Sequence, residues 1–247
     1  MKHAHKTFIA IASSVVGTLG IGLLVGFLGD WIPSASIRGP AQVSMEPAWL
    51  VNLCLVAGFG VQHSVMARES FKDWLYPDAL KPIERSIYVL LTGVTLFGIV
   101  ALWQPMTDLV WQLQHPIAIG LTTMGSIFGW GLATLAMVAI DALQLLGLRQ
   151  AGVARAIPDT FRQGWLHSRV RHPIYTGLLI AFWSTPEMSD GHLLFAMSMT
   201  IYIRVGIYFE ERHLTRVHGD VYRRYIQTVP MLIPRLSNAE TNNSPRR

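Results

Sequence analysis

The residues best suited to chemistry lie in the last third of the chain. Arg171 to Gly177 reads RHPIYTG, Glu210 and Glu211 stand side by side in FEERHL, and Tyr222 and Tyr225 follow before VPMLIP. Proline fits the first turn of a helix, where its missing N–H costs nothing. That turn presents free backbone donors together with His172 and Tyr175. Taken alone, it reads equally as a positively flanked helix start with an interfacial tyrosine anchor. Two acids at the end of a helix oppose its macrodipole. They call for an ion pair with Arg171, Arg212 or Arg216, or for a cationic or hydroxyl-rich ligand. Arg204 lies two helical turns before Glu211, on about the same face. At depth in a membrane helix an arginine costs about 2.5–3.5 kcal/mol, so it should face the bundle and find a partner. Structural and substrate-orienting roles stay open for it.

Histidines supply candidate bases, because an imidazole titrating near neutrality suits proton removal. His63 sits beside Ser64 near the end of an apolar run, where a packed or interfacial role is the competing reading. His167 and His172 are five residues apart, as are His213 and His218. A pair of metal ligands on one helix face is four apart, so no metal site is expected. The single cysteine, Cys54, excludes an internal disulfide and a cysteine zinc set. Inside its apolar run it reads as a buried, inert thiol.

These groups must be positioned by a membrane protein. Of 247 residues 51% are hydrophobic and only 14% charged, which is not a soluble composition. The net charge of +5 comes from residues in gaps between apolar runs, not from a basic stripe interleaved with aromatics, so nucleic-acid binding is excluded. Uncharged runs at Thr7–Gly29, Ala48–Met66, Ser86–Met106 and Pro116–Ile140 are each long enough to cross a hydrocarbon core of about 30 Å. Pro173–Pro186 is short for a span. Gly191–Phe209 is long enough but contains Arg204. The last two read as a helical hairpin turning at Glu187 to Asp190. The first run is longer than a signal-peptide core and reads as an uncleaved helix.

Lysine and arginine alternate from gap to gap. They precede run one, cluster between runs two and three, are absent between three and four, and return after four and after six. The positive-inside rule then puts both termini and the polar block in the cytoplasm. The expected fold is all-α: a polytopic transmembrane bundle of four full spans plus a C-terminal helical hairpin. Gly22/Gly26 and Gly125/Gly129 have the spacing of close helix packing. Gly58/Gly60 and Gly129/Gly131 follow no strand and do not signal a nucleotide-binding turn. The polar tail 237–247 is expected to be disordered.

In their order, RHPIYTG, EER-x-L, G-x-x-Y-x-x-Y and VP resemble the integral-membrane superfamily of isoprenylcysteine carboxyl methyltransferases and phospholipid methyltransferases. QHSVMARESFKDW (Gln62 to Trp74), ERSIYVLL (Glu84 to Leu91), GLRQ (Gly147 to Gln150), AFWSTPEMSDGHLLFA (Ala181 to Ala196) and VPMLIP (Val229 to Pro234) are similar to the methanethiol S-methyltransferase family, with its NnrU-like N-terminal half. The resemblance covers roughly residues 48–236. It implies one domain, 1–236, with NnrU-like helices at 48–150 and a donor-binding block at 151–236. It implies a multi-pass protein of the bacterial inner membrane and a site facing the cytoplasm. It also implies S-adenosylmethionine as cofactor, held by His172, Pro173, Ile174, Tyr175, Glu210 and Glu211, and a small thiol as acceptor. A lipid amine or isoprenylated cysteine carboxylate is the alternative acceptor, and a non-catalytic NnrU-like accessory or transport protein the alternative class. Two positions depart from the pattern. His167 stands where a tyrosine is usual, and Ala142 and Gln144 stand where a polar His and Asp precede GLRQ, with Asp141 nearby.

Overall fold

A computed structural model describes residues 3–32, 34–39, 47–155 and 164–235; the tail from 237 lies outside the described residues. The helices are α1 (His3–Leu28), α2 (Ala48–Met66), α3 (Glu69–Leu75), α4 (Glu84–Leu102), α5 (Pro116–Leu145), α6 (Pro173–Trp183), α7 (Asp190–His218) and α8 (Asp220–Thr228). Five, namely α1, α2, α4 with the 3-10 turn before it, α5 and α7, are long and apolar enough to cross a membrane. The chain is therefore a polytopic helical bundle. Its apolar runs set the elements: α2 coincides with its run, while α7 continues past Phe209 and stops at Gly219, whose φ of 54° ends the helix cheaply only for glycine.

Packing within the bundle is pairwise. α1 lies along α4, α5 lies along α6, and α2 bridges α4 and α7. Glycines permit the closest approaches. A Cβ on Gly129 would sit 2.5 Å from the backbone nitrogen of Ala181, and one on Gly177 would sit 2.6 Å from that of Ala133. The Gly125/Gly129 expectation thus holds, with α6 as the partner. The Gly22/Gly26 expectation does not. Gly22 meets nothing within 4 Å, and Gly26 faces only the Ile32 side chain of the following loop. The close α1–α4 contact is made instead by Gly17 and Gly20 against Gly93.

The last two runs form a looser hairpin than expected, because α6 gives its main face to α5. Residues Glu187–Ser189 are not a simple turn. They form a strand that pairs antiparallel with Leu109–Gln112, with Trp111 opposite Met188. Met188 is fully buried, so its flanking backbone groups need partners, and the ladder supplies them. Cys54 is also unlike its expectation: it is exposed on the outer face of α2.

Polar clamps gather at the two ends of the bundle. At the ribbon end Arg38 bridges Asp30 and Glu187, and Asn52 exchanges two hydrogen bonds with the backbone of Gln104, at 2.6 and 2.8 Å. At the opposite end Arg85 donates to the Leu145 carbonyl at 2.9 Å, capping α5. Here α5 breaks at Asp141, whose carboxylate accepts from the Gln144 amide at 3.2 Å and from Arg149 at 2.6 Å. The Arg149 of GLRQ is therefore a clasp for this bend, and Asp141 is spoken for.

The glycine contacts make a paired prediction. Gly129→Ala should lower stability by about 1–3 kcal/mol, the range for overpacking, whereas Gly22→Ala should be neutral or stabilising by about 0.5–1 kcal/mol. Thermal unfolding in detergent compares them directly.

Candidate functional site

The polar block converges at the end of the bundle away from the ribbon. His172 caps the start of α6, and Pro173 occupies its first turn and is fully buried. From α7, Glu211 reaches back to both members of the Arg-His pair. One carboxylate oxygen accepts from Arg171 Nε at 2.8 Å and lies 2.9 Å from His172 Nε2. Arg171 and His172 are almost wholly buried, so this carboxylate is what lets them stay inside. The ion-pair reading of Glu211 is thus realised, with Arg171 as the partner. Glu210 is different. Its carboxylate is 43% exposed and approaches His172 Nδ1 only to 3.6 Å. Tyr175 lies near it, with its ring stacked on His172 at 5.6 Å. Glu210 retains acceptor capacity; Glu211 has less.

The segment after α8 fastens this turn from outside. Arg171 donates its backbone N–H to Pro230 at 2.9 Å, and His172 donates to Met231 at 3.1 Å. The Arg171 guanidinium also reaches the carbonyls of Ile226 and Val229, and Thr176 Oγ1 donates to Leu232 at 2.9 Å. The VPMLIP motif is therefore a strap whose carbonyls satisfy the exposed donors of the Arg-His-Pro turn. Tyr225 completes it by donating to the His167 carbonyl at 2.6 Å. Burial pushes the Tyr225 phenol up to about 12, so it stays a donor at any physiological pH. His167 itself is half-buried. Burial first, then the nearby His172, holds it below the ordinary imidazole value, so it is neutral at pH 7.

His63 lies apart from this cluster, on α2. Its ring is bracketed by Phe59 at 5.3 Å and Tyr88 at 4.9 Å. The Tyr88 hydroxyl is 2.7 Å from Nε2 and 3.1 Å from Nδ1, and Thr92 Oγ1 is 3.2 Å from Nδ1. Arg85 covers the Tyr88 ring at 4.6 Å. The Ser64 hydroxyl joins Tyr202 of α7 at 3.3 Å. The hydroxyls of Tyr88 and Tyr202 thus lie beside the neighbouring pair His63 and Ser64. Sequence reasoning missed Tyr88 and Tyr202. The first stands within ERSIYVLL, but only the folded α2–α4–α7 contact reveals why.

On the other side of Glu211 a groove of about 400 Å³ runs along α7 toward α8. Arg204, Ile207, Tyr208, Glu211 and Arg212 line it from α7, and Ile226 and Met231 close it. Arg204 and Glu211 do share a face, as their spacing requires. Arg204 is exposed, and its Nη1 meets the Met231 sulfur at 2.7 Å.

Membrane-length helices define a polytopic membrane protein, and the carboxylates, imidazoles and groove gathered at one end make its candidate site. No protein-family model matches the chain, and no solved structure matches it. Curated proteins do. A methanethiol S-methyltransferase of Pseudomonas deceptionensis is 43% identical over 86% of this chain and 81% of its own. Methanethiol S-methyltransferase 1 of Bradyrhizobium diazoefficiens is 42% identical over 91% and 80%. A methanethiol S-methyltransferase of Mycobacterium tuberculosis is 39% identical over 95% of this chain and 98% of its own. The chain belongs to the methanethiol S-methyltransferase family, and is an enzyme of the methyltransferase class.

The two acids should separate experimentally. Glu211→Ala leaves Arg171 and His172 buried without their carboxylate and should cost about 3 kcal/mol of stability. Glu210→Ala, at a half-exposed site, should stay within about 0.5 kcal/mol. Denaturant unfolding of the two purified variants in the same detergent reads this difference.

Proposed function

We propose that this protein transfers a methyl group from S-adenosylmethionine to the sulfur of methanethiol, giving dimethyl sulfide. The observation that carries the reading is the relationship to methanethiol S-methyltransferases over nearly the whole chain, joined to a site whose chemistry suits that donor. Glu210 has a half-exposed carboxylate with spare acceptor positions, which fits ammonium or ribose hydroxyl groups. His172, Pro173, Ile174 and Tyr175 form the wall beside it, and Glu211 holds that wall in place. When bound, S-adenosylmethionine supplies an electrophilic methyl group on a sulfonium centre.

The chain's own residues then have three tasks. Glu210, His172 and Tyr175 orient the donor end, and in-line alignment supplies much of the rate of a displacement. The apolar helices exclude water and admit a small thiol that dissolves in lipid. A base removes the thiol proton, because the thiolate is the nucleophile. His63 is the first candidate for that role, its ring fixed in orientation by Tyr88, near both ring nitrogens, and by Thr92, near Nδ1. His167 is the second candidate base. It is neutral at pH 7 and lies on the donor side, near His172. Helices 48–150 then form the acceptor half and 151–236 the donor half of one domain. The bacterial relatives support an inner-membrane setting, and the alternation of basic gaps supports a site toward the cytoplasm, where the donor is made.

Purified protein given methyl-labelled S-adenosylmethionine and methanethiol should release labelled dimethyl sulfide, read by mass spectrometry. His63→Asn should lower the turnover by about 100-fold, within the range for loss of a general base. Label appearing only in lipid amines or a prenylated carboxylate, or in no product, would overturn the reading.

A further inference from the structure

Among the described residues Arg204 is a conspicuous unspent charge. It sits on α7, within an apolar run, and is exposed into the groove beside Glu211. Among the described residues no carboxylate pairs with it; its polar contact is the Met231 sulfur. A thioether is a weak acceptor and leaves most of a guanidinium's donors unspent. The charge is nevertheless held in a defined place, since Met231 belongs to the strap and its carbonyl accepts from the His172 amide. Arg212, at the other end of the groove, lies past the apolar run that ends at Phe209, where an unpaired cation costs less than one within a span. Glu211, between them, is already neutralised by Arg171, so it does not repel an anion placed nearby.

Resting on the proposed donor reading, we infer that Arg204 binds the α-carboxylate of the donor. The groove holds about 400 Å³, within the range of small-molecule sites, and it adjoins the Glu211–His172 wall. The donor's amino-acid end carries one anionic group beside cationic ones. Of the two arginines that line the groove, neither paired with a carboxylate among the described residues, Arg204 is the one the strap holds in place. The guanidinium fork suits a carboxylate geometrically as well as electrostatically. Arg204 is then a specificity-determining residue: it favours a donor with an intact carboxylate over adenosyl compounds that lack one.

Calorimetry on the full-length protein in zwitterionic nanodiscs tests this without turnover. The wild type should bind S-adenosylmethionine more tightly than decarboxylated S-adenosylmethionine. Arg204→Gln should weaken S-adenosylmethionine about 10–100-fold, the span for a hydrogen bond to a charged group, while leaving the decarboxylated compound within about twofold. Arg204→Lys should fall between, because it keeps the charge and loses the fork. Equal losses for both ligands, or no loss for either, overturn the inference and leave Arg204 as a lipid-headgroup or packing residue. A wild type that binds neither ligand overturns the donor reading itself, which is a different result from a variant that fails to discriminate.

Discussion

The Glu211 carboxylate is the joint on which the functional end of this protein depends. It receives Arg171 and His172 together, and through them it fixes three elements against one another: the C-terminal third of α7, the start of α6 and the strap after α8. A buried arginine and a buried histidine would each be costly without it. With it, the Arg-His-Pro turn becomes rigid, its backbone donors pass to the strap carbonyls, and the adjacent Glu210 is left half free. The neighbouring acids thus divide the labour, one holding the wall and the other facing outward from it. Local repulsion between them is the cost, offset by the cations packed around Glu211.

A second constraint is the close crossing of α5 and α6. Gly129 and Gly177 bring the two backbones near enough that neither position has room for a methyl group. This contact, more than the α6–α7 hairpin, sets where the short α6 stands and hence where its His172 cap projects. At the other end the Arg38 clamp and the two-stranded ribbon fix where α7 begins. Both ends of the site-bearing helices are therefore held by polar contacts while the spans between them remain apolar. That arrangement suits a membrane enzyme that meets a charged donor at its edge and a lipid-soluble thiol from within.

Much of this was legible in the residues. Runs of apolar sequence predict the spans because length and the absence of charge are what a bilayer demands. Two turns of separation place Arg204 and Glu211 on one face by helix geometry alone. What was not legible depended on distant pairings. Nothing local to Gly17, Gly20 or Gly93 marks them as the α1–α4 contact, while Gly22 and Gly26 have the right spacing and the wrong face. Cys54 sits in an apolar run, yet outward-facing and inward-facing residues of a membrane helix are alike in polarity, so its exposure was hidden. The links from His63 to Tyr88 and from Ser64 to Tyr202 need three helices in register, which spacing along one of them does not encode.

The central claim is that the donor lies against the wall that Glu211 builds, with Glu210 facing it. An experimental structure with S-adenosylhomocysteine bound tests this most directly. Ligand density contacting the Glu210 carboxylate, bordered by His172 and Tyr175 and extending toward Arg204, is the result predicted here. Density confined to the α1–α4 half, away from Glu210, would contradict it.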